Sequence, residues 1–146
     1  MRAVSIDWCN RLGIKVVFDS DVIVSIRRGT RPELRETVSN VKPGLRFMGL
    51  AGYLELLFKH SVPRQERDET RRLIRALSIK YLPLSTQADE WAYQALSTRH
   101  FEPPDDKPLD LLHAALAVTA RGGGALATLN KKHFERVSHL SLVEDF

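Results

Sequence analysis

The chain has 146 residues, 43% of them hydrophobic and 27% charged, a balance that suits one globular domain and argues against both a disordered chain and a membrane protein. Its formal net charge of +4 and sequence pI near 9.5 permit a polyanionic partner without requiring one. The single cysteine, Cys9, excludes an internal disulfide and reads as an incidental thiol, and no Cys/His spacing typical of a zinc site occurs.

Residues 1–14 show no clear periodicity and lack the apolar core of a secretory signal, so they read as an N-terminal extension to a domain spanning 15–146 of a cytoplasmic protein. The run Val16-Val17-Phe18 ends in Asp19-Ser20-Asp21 and turns apolar again at Val22. That pattern predicts a buried strand whose carboxyl end delivers acids to a crevice, although either Asp also suits a helix N-cap. Val22 to Arg28 predicts a short helix stopped by Gly29, and Thr30, Pro32 and Glu33 start another that reaches about Val41 and buries Leu34, Val38 and Val41.

After the break at Lys42-Pro43-Gly44, residues 45–50 predict a second short strand and residues 51–60 a helix that buries Leu50, Leu54, Leu57 and Phe58. Glu55 sits beside that face, and on periodicity alone it reads as a solvated side chain. Residues 64–79 predict a charged helix; its row of Arg64, Arg67, Arg71, Arg72 and Arg75 reads as a solvated face because Glu66, Asp68 and Glu69 are interleaved. A short extended piece at 81–84 precedes a helix capped by Ser85 or Thr86 and running to about Arg99, with Trp91 and Leu96 as core candidates. A polar loop at 102–108 contains Asp105 and Asp106. It leads into an apolar helix ending near Arg121, and the three glycines 122–124 separate that helix from a buried strand at 125–129. Residues 131–137 predict a short helix and residues 140–143 a last edge strand.

Asp110 stands in the first turn of the apolar helix, where a buried carboxylate costs several kcal/mol unless something pairs with it. Parallel α/β topology gathers strand ends and helix starts at one sheet edge, which would bring Asp110 towards Asp19 and towards Asn130 beyond the later strand. A hard divalent ion, Mg²⁺ or Mn²⁺, relieves the repulsion among such carboxylates and activates water against a phosphodiester.

Four segments together resemble the PIN-domain family, in its VapC-type toxin branch: Val16 to Ile23, Tyr53-Leu54-Glu55-Leu56-Leu57, Pro108-Leu109-Asp110-Leu111-Leu112-His113-Ala114-Ala115, and Ala127-Thr128-Leu129-Asn130-Lys131-Lys132-His133-Phe134. The resemblance implies a three-layer α/β/α fold with a central, mostly parallel sheet. It implies a metal-dependent ribonuclease that hydrolyses RNA, with Asp19, Glu55 and Asp110 as metal-binding acids and Thr128 and Asn130 orienting a water or a carboxylate. It also implies a toxin that pairs with a small antitoxin protein and forms a homodimer. Many members carry a fourth acid where this chain has His133, which reads here as a surface histidine; Asp21 either assists the metal or caps a helix, Asp106 caps the Asp110 helix, and His113 is a packed core histidine. Two alternatives remain open. One is a degenerate PIN domain that binds RNA or a protein without cutting. The other is a phosphatase, since Phe18-Asp19-Ser20-Asp21 also resembles the opening of haloacid-dehalogenase-type enzymes, although Val22 replaces the glycine usual there.

Overall fold

A computed structural model describes residues 1–98 and 109–146. Its centre is a parallel sheet whose strands are β1 (Arg2–Val4), β2 (Lys15–Phe18), β3 (Arg46–Gly49), β4 (Lys80–Leu82), β5 (Gly124–Ala127) and β6 (Ser141–Val143), in the spatial order β1-β6-β5-β2-β3-β4. The helices are α1 (Ile6–Leu12), α2 (Ser20–Arg28), α3 (Glu33–Asn40), α4 (Leu50–Leu56), α5 (Arg64–Ala76), α6 (Thr86–Ser97) and α7 (Asp110–Thr119). The loop holding Asp105 and Asp106, including the expected cap at Asp106, lies outside the described residues.

Strand alternation sorts the core into two halves, one on each face of the sheet. Val16 and Phe18 of β2 pack with Ala125 and Ala127 of β5 against α2, α3, α4 and α5, whereas Val17 and Leu126 turn to α6 and α7. The expected three layers follow from this division, and every strand pair is parallel. Because β2 pairs with β3 on one side and β5 on the other, the chain leaves β2 in one direction and returns on the opposite flank. A crevice opens at such a switch point, beyond the carboxyl ends of the strands.

The first fourteen residues are built into this framework. β1 pairs with β6, so β6 is interior to the sheet and β1 takes the edge expected of it. Ser5 caps α1 by accepting a hydrogen bond from the Trp8 N–H at 3.1 Å, and Cys9 beneath it is fully buried. Burial, and then the nearby Asp145 charge, push the Cys9 thiol up to about 11, which keeps it protonated and unreactive.

Elsewhere the elements occur in the expected order with trimmed ends. Helix α4 stops at Leu56, and Phe58, expected inside, is 63% exposed. It lines a groove of about 510 Å³ with Tyr53, Arg64, Arg67 and Arg71. Leu96, also expected in the core, is exposed, while Trp91 is half-buried against the α6–α7 side. Residues 131–137 form only a single 3-10 turn, Lys131–His133, rather than a helix.

Arg46 interrupts the apolar stretch expected for β3 and is buried without a carboxylate partner among the described residues. Its guanidinium instead donates to three backbone carbonyls, those of Val41 at 2.7 Å, Leu77 at 2.8 Å and Ser39 at 2.9 Å. These bonds tie the exits of α3 and α5 to β3. Replacing Arg46 with Met should lower unfolding free energy by about 2–4 kcal/mol in urea denaturation, because two buried carbonyls and a part-buried one lose a charged donor, and Lys should recover only a fraction because it lacks the planar fork.

Candidate metal centre

Asp19 follows the last residue of β2 and continues its ladder, its backbone N–H donating to Ala127 O at 2.9 Å. The same residue is the N-cap of α2, so the strand end and the helix start place one carboxylate at the switch point. Asp19 is 4% exposed. Its Oδ1 accepts from the Ser20 N–H at 2.7 Å, and its Oδ2 accepts from the Thr128 hydroxyl, beyond the end of β5, at 2.8 Å. The cap and the ligand position that the sequence offers for Asp19 are therefore compatible.

Glu55 and His113 complete a buried cluster with Asp19. His113 is fully buried on α7, one turn after Asp110, and its Nε2 lies 2.8 Å from Glu55 Oε1 on α4 and 3.2 Å from Asp19 Oδ1. One atom from each of Asp19, Glu55 and His113 falls within 4.8 Å of the others, a grouping that could hold a metal ion. Burial alone would raise the Glu55 carboxyl, but the hydrogen bond and charge of His113 outweigh it and the net shift is downward. Burial pulls the His113 imidazole down, and its bond to Glu55 together with the Asp19, Glu55 and Asp110 charges reverse this to a net rise.

Asp110 is buried in the first turn of α7 and pairs with His133, whose Nδ1 is 2.9 Å from its Oδ2. His133 is consequently a partner of a site acid, with its side chain 30% exposed, and not the surface histidine expected from sequence. Burial, followed by the Asp19 charge, raises the Asp110 carboxyl, against the opposing pull of His133.

Asp21 turns to the β5 side. Its Oδ2 accepts from Asn130 Nδ2 at 2.8 Å and from the Leu129 N–H at 3.1 Å, while its Oδ1 is buried with no side-chain partner among the described residues. The Thr128 hydroxyl, 3.3 Å from Asp21 Oδ2 and 2.8 Å from Asp19 Oδ2, stands between the two carboxylates and accepts from the Asn130 N–H at 3.1 Å. Asn130 thus orients Asp21, and Thr128 orients Asp19.

The structure brings Asp19, Asp21, Glu55, Asp110, Thr128 and Asn130 to one end of the sheet, and adds Ser20, His113 and His133, to which sequence reading gave no role in the site. A polar residue three positions after Asp110 on an otherwise apolar helix is the signal that could have identified His113. Among the described residues no lysine or arginine forms an ion pair with any of the four acids. Four carboxylates compensated only by histidines, hydroxyls and amides fit a hard divalent cation, whose oxygen-rich preference matches this donor set.

A model of the PIN domain matches residues 16–140 of the chain. A search of curated protein sequences finds no match. Among solved structures, the fold is similar to that of VapBC-1 from nontypeable Haemophilus influenzae (TM-score 0.70, 20% identity, covering 90% of this chain and 98% of the other). It is also similar to VapBC2 from Rickettsia felis bound to a promoter DNA fragment (TM-score 0.69, 14% identity, 88% and 97%). DNA-bound VapBC from Salmonella typhimurium superposes comparably (TM-score 0.69, 19% identity, 88% and 96%).

Burial and then the neighbouring Asp19 charge push the Asp21 carboxyl up to about 7, against the hydrogen bonds to its other oxygen. Because this folded-state value lies above 3.8, the native chain holds the Asp21 proton more tightly than the unfolded chain. The resulting stability is fully present below about pH 4 and is lost as the pH rises through about 7. Asp21→Asn, with an amide that imitates the protonated acid, should therefore be more stable than the parent chain by about 2–4 kcal/mol at pH 8 in chelator-containing buffer. Urea denaturation followed down to pH 4 should show the difference vanish; parallel curves would refute the assignment.

Proposed function

The chain belongs to the PIN-domain family, and on that premise we propose that it is a metal-dependent endoribonuclease, hydrolysing RNA phosphodiester bonds as the toxin of a type II toxin-antitoxin pair. Family membership assigns the Phe18-Asp19-Ser20-Asp21 opening to the PIN pattern rather than to the phosphatase one. The observation that carries the reading is the buried grouping of Asp19 and Glu55 around His113, with Asp110 near enough for charge interaction with Asp19 and His113, where among the described residues no lysine or arginine forms an ion pair with these acids.

In this reading Asp19, Glu55 and Asp110 hold Mg²⁺ or Mn²⁺. The ion supplies Lewis acidity at the phosphate and lowers the pKa of a bound water. Thr128 and Asn130 do their work from the β5 side: the hydroxyl fixes the Asp19 carboxylate, and the Asn130 amide fixes Asp21 so that it does not swing across the centre. Beside this centre a cleft of about 420 Å³, lined by Arg31, Asn130, Lys131, Lys132 and His133, offers positive charge to a phosphate backbone.

The solved neighbours are complexes of two proteins or of two proteins with DNA, which supports a small antitoxin as the partner of this chain. A homodimer of the chain accords with the same family reading, in the cytoplasm where the RNA substrate is found. One observation favours the second reading, an RNA- or protein-binding domain that does not cut: His133 occupies an oxygen of Asp110.

Cleavage of a labelled RNA separates the two. The chain should cut in Mg²⁺ or Mn²⁺ and be silenced by chelator, and Asp19→Asn and Asp110→Asn should each reduce the rate by at least about a hundredfold, the scale on which a misheld reacting group costs activity. An inactive parent chain that still binds RNA would establish the second reading.

A further inference from the structure

His113 Nε2 lies within hydrogen-bond distance of both Glu55 Oε1, at 2.8 Å, and Asp19 Oδ1, at 3.2 Å, and the side chain is fully buried. Its other nitrogen, Nδ1, is buried with no hydrogen-bond partner among the described residues. These facts fix where the ring hydrogen lies. Placing the only hydrogen on Nδ1 would strand a buried N–H without an acceptor and turn the Nε2 lone pair towards two carboxylate oxygens, both unfavourable. The neutral ring with hydrogen on Nε2 avoids both penalties; the doubly protonated ring keeps the stranded Nδ1–H but removes the lone-pair opposition, and in either form Nε2 is a donor.

A nitrogen that carries its hydrogen has no lone pair for a cation. We propose that His113 is a positioning residue: its Nε2–H joins Asp19 at the end of β2 to Glu55 on α4 and holds both carboxylates in place for a divalent ion that it does not itself ligate. The inference rests on the metal-dependent reading of the site. It assigns to one side chain on α7 the alignment of acids contributed by the sheet and by a second helix. The Ser20 hydroxyl at the start of α2 also bonds both acids, with a longer contact of 3.3 Å to Asp19 Oδ1, so His113 acts on the pair from the opposite element, α7. Ser20 and Thr128 hold Asp19 from the strand side, and the 2.8 Å bond to the fully buried His113 anchors Glu55 to α7.

The test uses the full chain, with Mn²⁺ as the probe, followed by calorimetry and by pulsed electron paramagnetic resonance for nitrogen coupling to the ion. His113→Leu removes the donor, and His113→Gln retains an N–H at comparable reach. The Leu variant should bind Mn²⁺ about ten- to a hundredfold more weakly, the usual effect of removing a group that orients metal ligands, while Gln stays close to the parent affinity. The nitrogen coupling should be the same in the parent and in His113→Gln. Parent-like Mn²⁺ affinity in a folded His113→Leu chain overturns the proposal. So does a nitrogen signal present in the parent and lost in His113→Gln, which would make His113 a ligand. If the Leu variant does not fold by circular dichroism, the spectra of the parent and Gln chains decide the matter. Absence of any Mn²⁺ binding by the parent chain is a separate failure, because it removes the metal centre itself and this inference with it.

Discussion

Asp19 is buried where a parallel sheet, a helix N-terminus and a second strand end meet, and the other groups of the site are arranged around the cost of keeping it there. A carboxylate removed from water to this extent needs several kcal/mol of compensation. The chain supplies it from short-range dipoles: the Ser20 N–H and hydroxyl, the Thr128 hydroxyl and the His113 ring. The N-terminus of α2 adds its dipole, since Asp19 is its cap. None of these donors is a lysine or arginine, so the compensation leaves the centre electronegative and able to attract a cation.

The four acids are held in distinct ways by different partners. Asp19 and Glu55 share His113, Asp110 has His133, and Asp21 has the Leu129 N–H and the Asn130 amide. These attachments, two of them shared through His113 and Thr128, give each carboxylate a preferred orientation. They also set the acids apart electrostatically. Glu55 is drawn down by its histidine, whereas burial pushes Asp21 and Asp110 up. A centre built this way opposes the stability of the fold at neutral pH, and the two hydrophobic halves of the sheet offset that opposition.

The legible parts of the fold were those whose signals are local. The apolar run into Asp19, the helix stop at Gly29 and the glycine break before β5 each occupy a few consecutive residues and appear where expected. Gly29 takes the left-handed conformation at φ 69° that its position as a helix stop requires. What escaped depends on residues far apart in the chain. Strand β1 is three residues long and exposes two of them, so no alternation betrays it, and only β6, more than 130 positions away, gives it a partner. Arg46 is buried because three carbonyls from α3's and α5's exits converge on it, an arrangement invisible in a six-residue apolar window. In the site, Asp19 and Asp110 stood out at a strand end and on an apolar helix, whereas Glu55 was recognised only through a family pattern. His113 is buried as expected but its carboxylate partners went unseen, and His133 was misread as a surface residue, because a His on an apolar helix face or in a basic turn looks the same in sequence whether or not a carboxylate waits across the crevice.

His133 shows how one residue type changes the electrostatics of the whole centre. An acid in its place would stand 2.9 Å from Asp110 as a fifth negative group, and like charges at that separation force either protonation or tighter cation binding. Imidazole reverses the interaction: it offers Asp110 a hydrogen bond and lets that carboxylate remain buried without a metal. Asp19 and Glu55 are tied in the same way by a histidine of their own, His113. The two imidazoles therefore divide the crevice between them, His133 serving Asp110 on α7 and His113 the junction of β2 and α4, where Glu55 and Asp19 face each other across one imidazole nitrogen.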